Sequence, residues 1–275
     1  SRYCVKAEKR KNIYKNLELT PFLSSLPFSL TSGQKKVLEE IVEDLRSKNV
    51  MSRLVQGDVG SGKTIIACAA LYLAAKNGLQ GAMMAPTEIL ADQHLKTLKQ
   101  FLNMHGIVVE ILKGGMNDKE RNKLLKDLKN GRIDVLVGTH ALIQEDVEFF
   151  KLGMIITDEQ HRFGVKQRER LIKKGQHPDI LVMTATPSPR TLAMVLYSDL
   201  DISVIDTLPK DRKPIDTFVV GSEMRKRVYD FMDQEIKKGH LAYVVCPAVE
   251  ENELNVTSVE KHVELLKKAY PHLTI

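Results

Sequence analysis

Gly57-Asp58-Val59-Gly60-Ser61-Gly62-Lys63-Thr64 separates the apolar run Leu54-Val55 from a second one, Ile65-Ile66-Ala67-Cys68-Ala69-Ala70. Three glycines in six residues, then lysine and threonine, make neither a good strand nor a good helix interior. They make a loop that can turn backbone N–H groups inward, in conformations that side chains would block. A helix starting at Lys63 would aim the positive end of its dipole at the same point. Lys63 can then reach the β- and γ-phosphates of a nucleotide, and the Thr64 hydroxyl can ligate Mg²⁺. The eight residues fill the pattern G-x-x-x-x-G-K-[ST], with strand before and helix after as that pattern requires. The stretch therefore reads as a nucleoside triphosphate site, with Gly57, Asp58, Gly60, Ser61, Gly62, Lys63 and Thr64 as its residues.

Outward from the loop, short apolar runs alternate with longer helical patterns. Strands are expected at Leu54–Gln56, Ala82–Ala85, Val108–Leu112, Val135–Gly138, Met154–Asp158, Ile180–Thr184 and Ser203–Ile205. Helices are expected at 63–77, 88–104, 117–130, 165–174 and 189–197. Continuous apolar strands alternating with helices predict an α/β fold: a P-loop parallel sheet covered on both faces, with ligands at the carboxyl ends of the strands. Residues 1–25 are basic at the start and read as a connector, so the sequence is expected to begin inside a longer protein. Residues 26–206 form the first lobe. The stretch 207–214, bounded by Pro209 and Pro214, reads as a linker. The pattern restarts over 215–275, with strands near Thr217–Val220 and Ala242–Cys246 and helices at 222–238 and 257–270, as the opening of a second lobe.

The chain has 275 residues, 43% of them hydrophobic and 28% charged, with net charge +6. That composition suits a globular chain with a real core, and the positive charge suits a polyanionic partner. No run approaches the ~20 apolar residues of a membrane span. Three widely spaced cysteines argue against a disulfide framework and for a reducing cytoplasm, with Cys68 and Cys246 read as core residues. The histidines show no zinc-ligand spacing.

ATP hydrolysis at a P-loop needs a second acidic element on a neighbouring strand. Met154-Ile155-Ile156-Thr157-Asp158-Glu159-Gln160-His161 supplies one. Asp158 is the candidate Mg²⁺ partner and Glu159 the candidate base for the attacking water. Acidic pairs also end strands as turn residues, so the P-loop upstream gives this pair its weight. After the strand Ile180–Val182, Thr184 and Thr186 can hydrogen-bond the acidic loop and sense the γ-phosphate. The same stretch also reads as a helix start capped by Ser188, with Pro189 in the first turn.

The series GDVGSGKT, APTEILADQH (85–94), GTHALI (138–143), DEQH (158–161) and TATPSPRT (184–191) resembles superfamily 2 helicase motifs I, Ia, Ib, II and III, in order. FSLTSGQ (28–34) resembles the Q motif of those enzymes. The longer stretches DEQHRFGVKQR (158–168), TATPSPRTLAM (184–194), DLDISVIDTLPKDRKP (199–214) and AYVVCPAVEEN (242–252) resemble the bacterial RecG-type DNA helicases. The resemblance implies a RecA-like lobe and a cytoplasmic, ATP- and Mg²⁺-dependent translocase. Its implied work is regressing replication forks and migrating Holliday junctions in DNA repair and recombination.

Carried onto matching positions, the resemblance puts Phe28 and Gln34 at the adenine. Lys63 and Thr64 take the phosphates and Mg²⁺, Asp158 and Glu159 serve Mg²⁺ and water, and His161 also lies at the nucleotide. Thr184, Thr186 and Arg190 would couple the two states. Pro86, Thr87, Glu88, Gly114, Gly115, Thr139 and His140 would face DNA, although each is also an ordinary loop or cap residue type. The implied partners are branched double-stranded DNA and single-stranded DNA-binding protein, with no membrane, and the chain acting as a monomer. The family's arginine finger comes from the second lobe, and no arginine follows Arg227. Residues 1–275 alone are therefore expected to bind ATP and turn it over poorly. Three alternatives stay open: a transcription-repair coupling factor-like translocase, an RNA helicase, and an ATP-gated binding module.

Overall fold

The computed structural model describes residues 9, 14–158, 170–185, 200–207, 215–246 and 258–274. It divides into two compact units, Ser1–Arg212 and Lys213–Ile275.

The first unit is built on a seven-stranded sheet in which every pairing is parallel. The strands are β1 (Ser52–Gly57), β2 (Gln80–Met84), β3 (Val109–Leu112), β4 (Val135–Gly138), β5 (Leu152–Asp158), β6 (Asp179–Thr184) and β7 (Asp201–Ile205), in the spatial order β3-β4-β2-β5-β6-β1-β7. Alternation along each central strand feeds two separate cores, because successive side chains point to opposite faces. Val55, Met83, Val137, Ile156 and Leu181 pack on one face under α2 (Ser32–Arg46), α3 (Lys63–Lys76) and α4 (Glu88–Leu102). Ala82, Met84, Leu136 and Ile155 pack on the other with α5 (Asp118–Lys129). Helix α3 is buried along its whole run from Ile65 to Ala74. That explains why its sequence is apolar on every side rather than striped.

Helix α2 is an element the sequence reading left out. Its N-terminus is a capping box: Thr31 Oγ1 accepts from Gln34 N–H, and Gln34 Oε1 accepts from Thr31 N–H. Its apolar stripe, Val37, Leu38, Ile41 and Leu45, is buried against the sheet. The short helix α1 (Thr20–Ser24) precedes it, with Phe22 fully buried.

The lobe also begins earlier than residue 26. Tyr14 and Phe22 belong to the main core. Asn77, just past α3, accepts the N–H groups of Lys15 and Asn16 at 2.7 and 2.9 Å and donates to Asn16 O at 2.6 Å. A segment whose backbone is bonded this way is part of the lobe. Further back, Lys9 bridges Asn49 just past α2.

The expected helix at 165–174 is described only from residue 170, where its last turn ends at 172, and the one at 189–197 lies outside the described residues.

In the second unit, α6 (Arg225–Lys237) follows a 3₁₀ turn at Ser222–Met224, and α7 (Val259–Ala269) starts on a Ser258 cap that accepts from Lys261 N–H. The strands expected at Thr217–Val220 and Ala242–Cys246 are not formed among the described residues. The second stretch keeps a strand's alternation all the same. Ala242, Val244 and Cys246 turn toward a cavity of about 220 Å³ beside α6 and α7. Leu241, Tyr243 and Val245 are almost fully exposed, whereas Val244 is exposed to 41%. Extended backbone becomes strand only when a neighbour accepts its N–H groups. For the same reason Cys246 is only half-buried rather than a core residue, whereas Cys68 is buried as expected.

Candidate nucleotide and nucleic-acid site

Strand β1 delivers its last residue, Gly57, to the carboxyl edge of the sheet, and the loop returns as α3. Gly60 and Gly62 take φ of +80° and +83°, a region that a side chain makes costly. A Cβ on Gly57 would lie 2.5 Å from Ser61 Oγ, so the loop closes only on glycine there. Gly62 caps α3 without any side-chain hydrogen bond, and Ile65 N–H turns back to Gly62 O at 3.0 Å, so the helix N-terminus meets the loop with no side chain between them. Lys63 Nζ donates to Gly57 O at 2.7 Å and to Asp58 O at 3.0 Å, so the ammonium already sits inside the turn. Ser61 Oγ is buried with no hydrogen-bond partner among the described residues. An open glycine cradle, a helix N-terminus without a side-chain cap, a lysine and an orphaned hydroxyl fit a polyphosphate.

The acid lies on the same edge. Asp158 pairs with Met183 of β6, which pairs in turn with Val55 of β1. Two strand spacings of ~4.8 Å therefore put Asp158 about 10 Å from β1, just below the start of the loop. Thr184, buried, ends the intervening strand level with Gln56. The Thr64 hydroxyl at the start of α3 and the Asp158 carboxylate on this edge are hard oxygen donors of the kind Mg²⁺ takes. Asp158 Oδ2 is engaged by His94 Nε2 of α4 at 2.8 Å, a pairing the sequence reading missed. Its signal was present: His94 falls on the spacing Ala91, His94, Leu98, Phe101 that marks the buried stripe of α4. Glu159, His161, Thr186 and Arg190 lie outside the described residues.

Gln34 is buried, and both ends of its amide are engaged. Oε1 accepts from Thr31 N–H at 2.9 Å, and Nε2 donates to Ser61 O at 2.8 Å. In this arrangement it braces the phosphate loop against α2, and an adenine contact would exchange one of these bonds. Phe28 is half-exposed, edge-on to Phe101 at 6.2 Å between centroids, and borders an open recess of about 380 Å³ with Pro27, Leu30 and Lys35.

The DNA-facing candidates divide. Thr87 is exposed and caps α4, its hydroxyl accepting from Leu90 N–H. Glu88, also exposed, accepts from Gly114 N–H at 3.3 Å, while Lys113 pairs with Asp92 at 2.7 Å. The loops after β2 and β3 are thus tied into one surface that includes Gly115 and the half-buried Pro86. Thr139 is buried at the end of β4, so its side chain is not presented to a duplex, and His140 beside it is exposed.

A parallel sheet with a glycine cradle at β1 and an acid at the end of β5 defines a RecA-like P-loop nucleotide-binding lobe. Residues 31–195 match the DEAD/DEAH box helicase model. The chain belongs to that family. It is 51% identical over 240 residues to the ATP-dependent DNA helicase RecG of Bacillus subtilis (strain 168), covering 87% of this chain and 35% of that protein. It is 46% identical over 273 residues to RecG of Thermotoga maritima, covering 98% and 35%. Among solved structures it is similar to a RecG bound to a three-way DNA junction, with TM-score 0.78 and 41% identity over 94% of this chain and 34% of that one. A likeness to Mss116p bound to ssRNA and AMP-PNP, with TM-score 0.62 at 17% identity over 85% of this chain and 54% of that one, reflects the fold alone. The chain spans about a third of the length of the curated relatives it matches.

Proposed function

We propose that the chain is the ATP-binding motor lobe, with the opening of a second lobe, of a RecG-type translocase. That enzyme drives branched duplex DNA through fork regression and junction migration, for repair and recombination in the bacterial cytoplasm. The observation that carries the reading is the shared edge: Lys63 seated in an uncapped glycine loop and Asp158 two strands away at the same level. MgATP bound there supplies a phosphoanhydride whose cleavage releases free energy. Lys63 places a positive charge against the β- and γ-phosphates. Thr64 and Asp158 would hold Mg²⁺, and Glu159 takes a proton from the attacking water. The tied loops at 86–88 and 113–115 offer N–H groups and a helix N-terminus to the DNA backbone, which positions a duplex without reading its sequence. Residues 1–275 alone bind nucleotide and hydrolyse it slowly, because an arginine finger is worth ~10³–10⁵ in rate and no arginine follows Arg227.

The test uses the full-length protein and its Lys63→Ala variant. Wild type should show ATPase stimulated more by forked than by linear or single-stranded DNA, and Lys63→Ala should lose nucleotide binding in titration calorimetry. Unchanged affinity in the variant would remove the phosphate-site assignment. Equal stimulation by every DNA would remove the branched-substrate one.

A further inference from the structure

Helix α4 turns Ala91, His94, Leu98, Phe101 and Leu102 toward the sheet, all of them buried. Four of the five are apolar, and packing alone would be served by an apolar fifth. A polar side chain keeps such a place only when it is satisfied there. His94 is satisfied by one specific group: its Nε2 lies 2.8 Å from Asp158 Oδ2, with side-chain exposures of 9% and 15%. An ionised carboxylate only accepts, so Nε2 carries the hydrogen and donates. Among the described residues, the carboxylate's other oxygen, Oδ1, has no hydrogen bond or ion pair. One oxygen is thus pinned by the helix and the other is not.

The same helix begins at the proposed DNA surface. Glu88, in its first turn, accepts from Gly114 N–H, and Thr87 caps it. Six residues at 1.5 Å each put His94 about 9 Å along the axis from Glu88. The helix is regular between them, with one face packed on the sheet and the other exposed, so it joins the two ends through continuous backbone.

We propose that His94 is a positioning residue. It orients the Asp158 carboxylate for Mg²⁺ and links that carboxylate, through α4, to the loops at 86–88 and 114 that meet the DNA backbone. The proposal rests on the reading of the phosphate loop as the ATP site. A ligating carboxylate is held in orientation by the groups that hydrogen-bond it, and loss of such a group costs ~10–100-fold in metal affinity or activity. Seen this way, α4 carries duplex engagement at one end and the orientation of the acid at the other.

The experiment compares wild type, His94→Leu, His94→Gln and Lys63→Ala in the full-length protein. Leucine keeps the apolar packing and removes the donor. Glutamine places an N–H close to the position of Nε2. Binding of a fluorescent ATP analogue is titrated with Mg²⁺ without turnover, kcat and KM for ATP are measured with and without forked DNA, and thermal unfolding is recorded. For His94→Leu the expected result is a wild-type unfolding midpoint and a Mg²⁺ half-saturation raised ~10-fold. Its kcat should fall ~10–100-fold with KM for ATP nearly unchanged, and its stimulation by DNA should be reduced. His94→Gln should recover most of the Mg²⁺ response. A His94→Leu protein with wild-type Mg²⁺ titration and kcat overturns the proposal, and so does a His94→Gln protein as impaired as His94→Leu. A Lys63→Ala protein that still binds the analogue overturns instead the ATP-site reading beneath it.

Discussion

Arg53 shows how much of the lobe depends on single polar residues. It sits on the buried strand β1, and its guanidinium bonds two other elements, α2 and β7. Two bonds of 2.6 and 3.0 Å go to Asp44, and one of 3.1 Å goes to Glu40, both on α2. A fourth, of 2.7 Å, goes to Ser203 on β7. Burial alone would lower the pKa of the guanidinium. The bond to Asp44, with the fields of Asp44, Glu40 and Asp201, outweighs burial and raises it. Removing one partner of such a group leaves the others uncompensated, at ~3–5 kcal/mol for a fully buried set. Asp44 and Glu40 keep 21% and 32% side-chain exposure, so Arg53→Ala should cost about 2–3 kcal/mol. The loss should appear as a lower urea midpoint at unchanged slope, with part recovered when Asp44 and Glu40 are also made alanine. A loss below about 0.5 kcal/mol would mean that water already screens the cluster.

Between elements, the legible and the hidden parts of the fold separate by cause. All seven strands of the sheet could be read, because each holds a short apolar core bounded by turn residues, and their alternation with helices along the chain implied parallel pairing. Helix α2 escaped because its stripe of Val37, Leu38, Ile41 and Leu45 lies between lysines and glutamates that dominate the composition. The phosphate loop was legible as a motif. The buried stripe of α4 marked His94 as inward-facing, but its bond to Asp158 joins residues 64 apart, and the stripe does not name the partner. The Asn77 clamp on the entering chain is hidden for the same reason. Helix burial also has a measurable side. Helix α3 is buried from Ile65 to Ala74, whereas α5 buries only Leu128. Native-state hydrogen exchange should find the amides in the middle of α3 among the slowest in the lobe, opening only with global unfolding. Those of α5 should exchange through local opening. Comparable protection in the two helices would show that α3 is not the centre of the cooperative unit.

For the molecule as a whole, 41 lysines and arginines stand against 35 acidic residues. The proposed contacts are to phosphate, so association with duplex DNA should release counterions. The binding constant of the full-length protein should then fall steeply and linearly with salt on a log–log plot, with little sequence preference at equal branching. A strong preference for one sequence, read by competition at fixed junction shape, would contradict backbone recognition. If the proposed function holds, the site must also let go of its fuel. Here the lysine of the phosphate loop rests on Gly57 O and Asp58 O. A departing nucleotide therefore leaves behind no stranded charge. Entry and exit are each a swap of one set of oxygens for another, so little of the binding energy is tied up in ordering the socket. On the proposed function, spent product would meet a loop ready to take back its own lysine, as a site that empties once in every cycle requires.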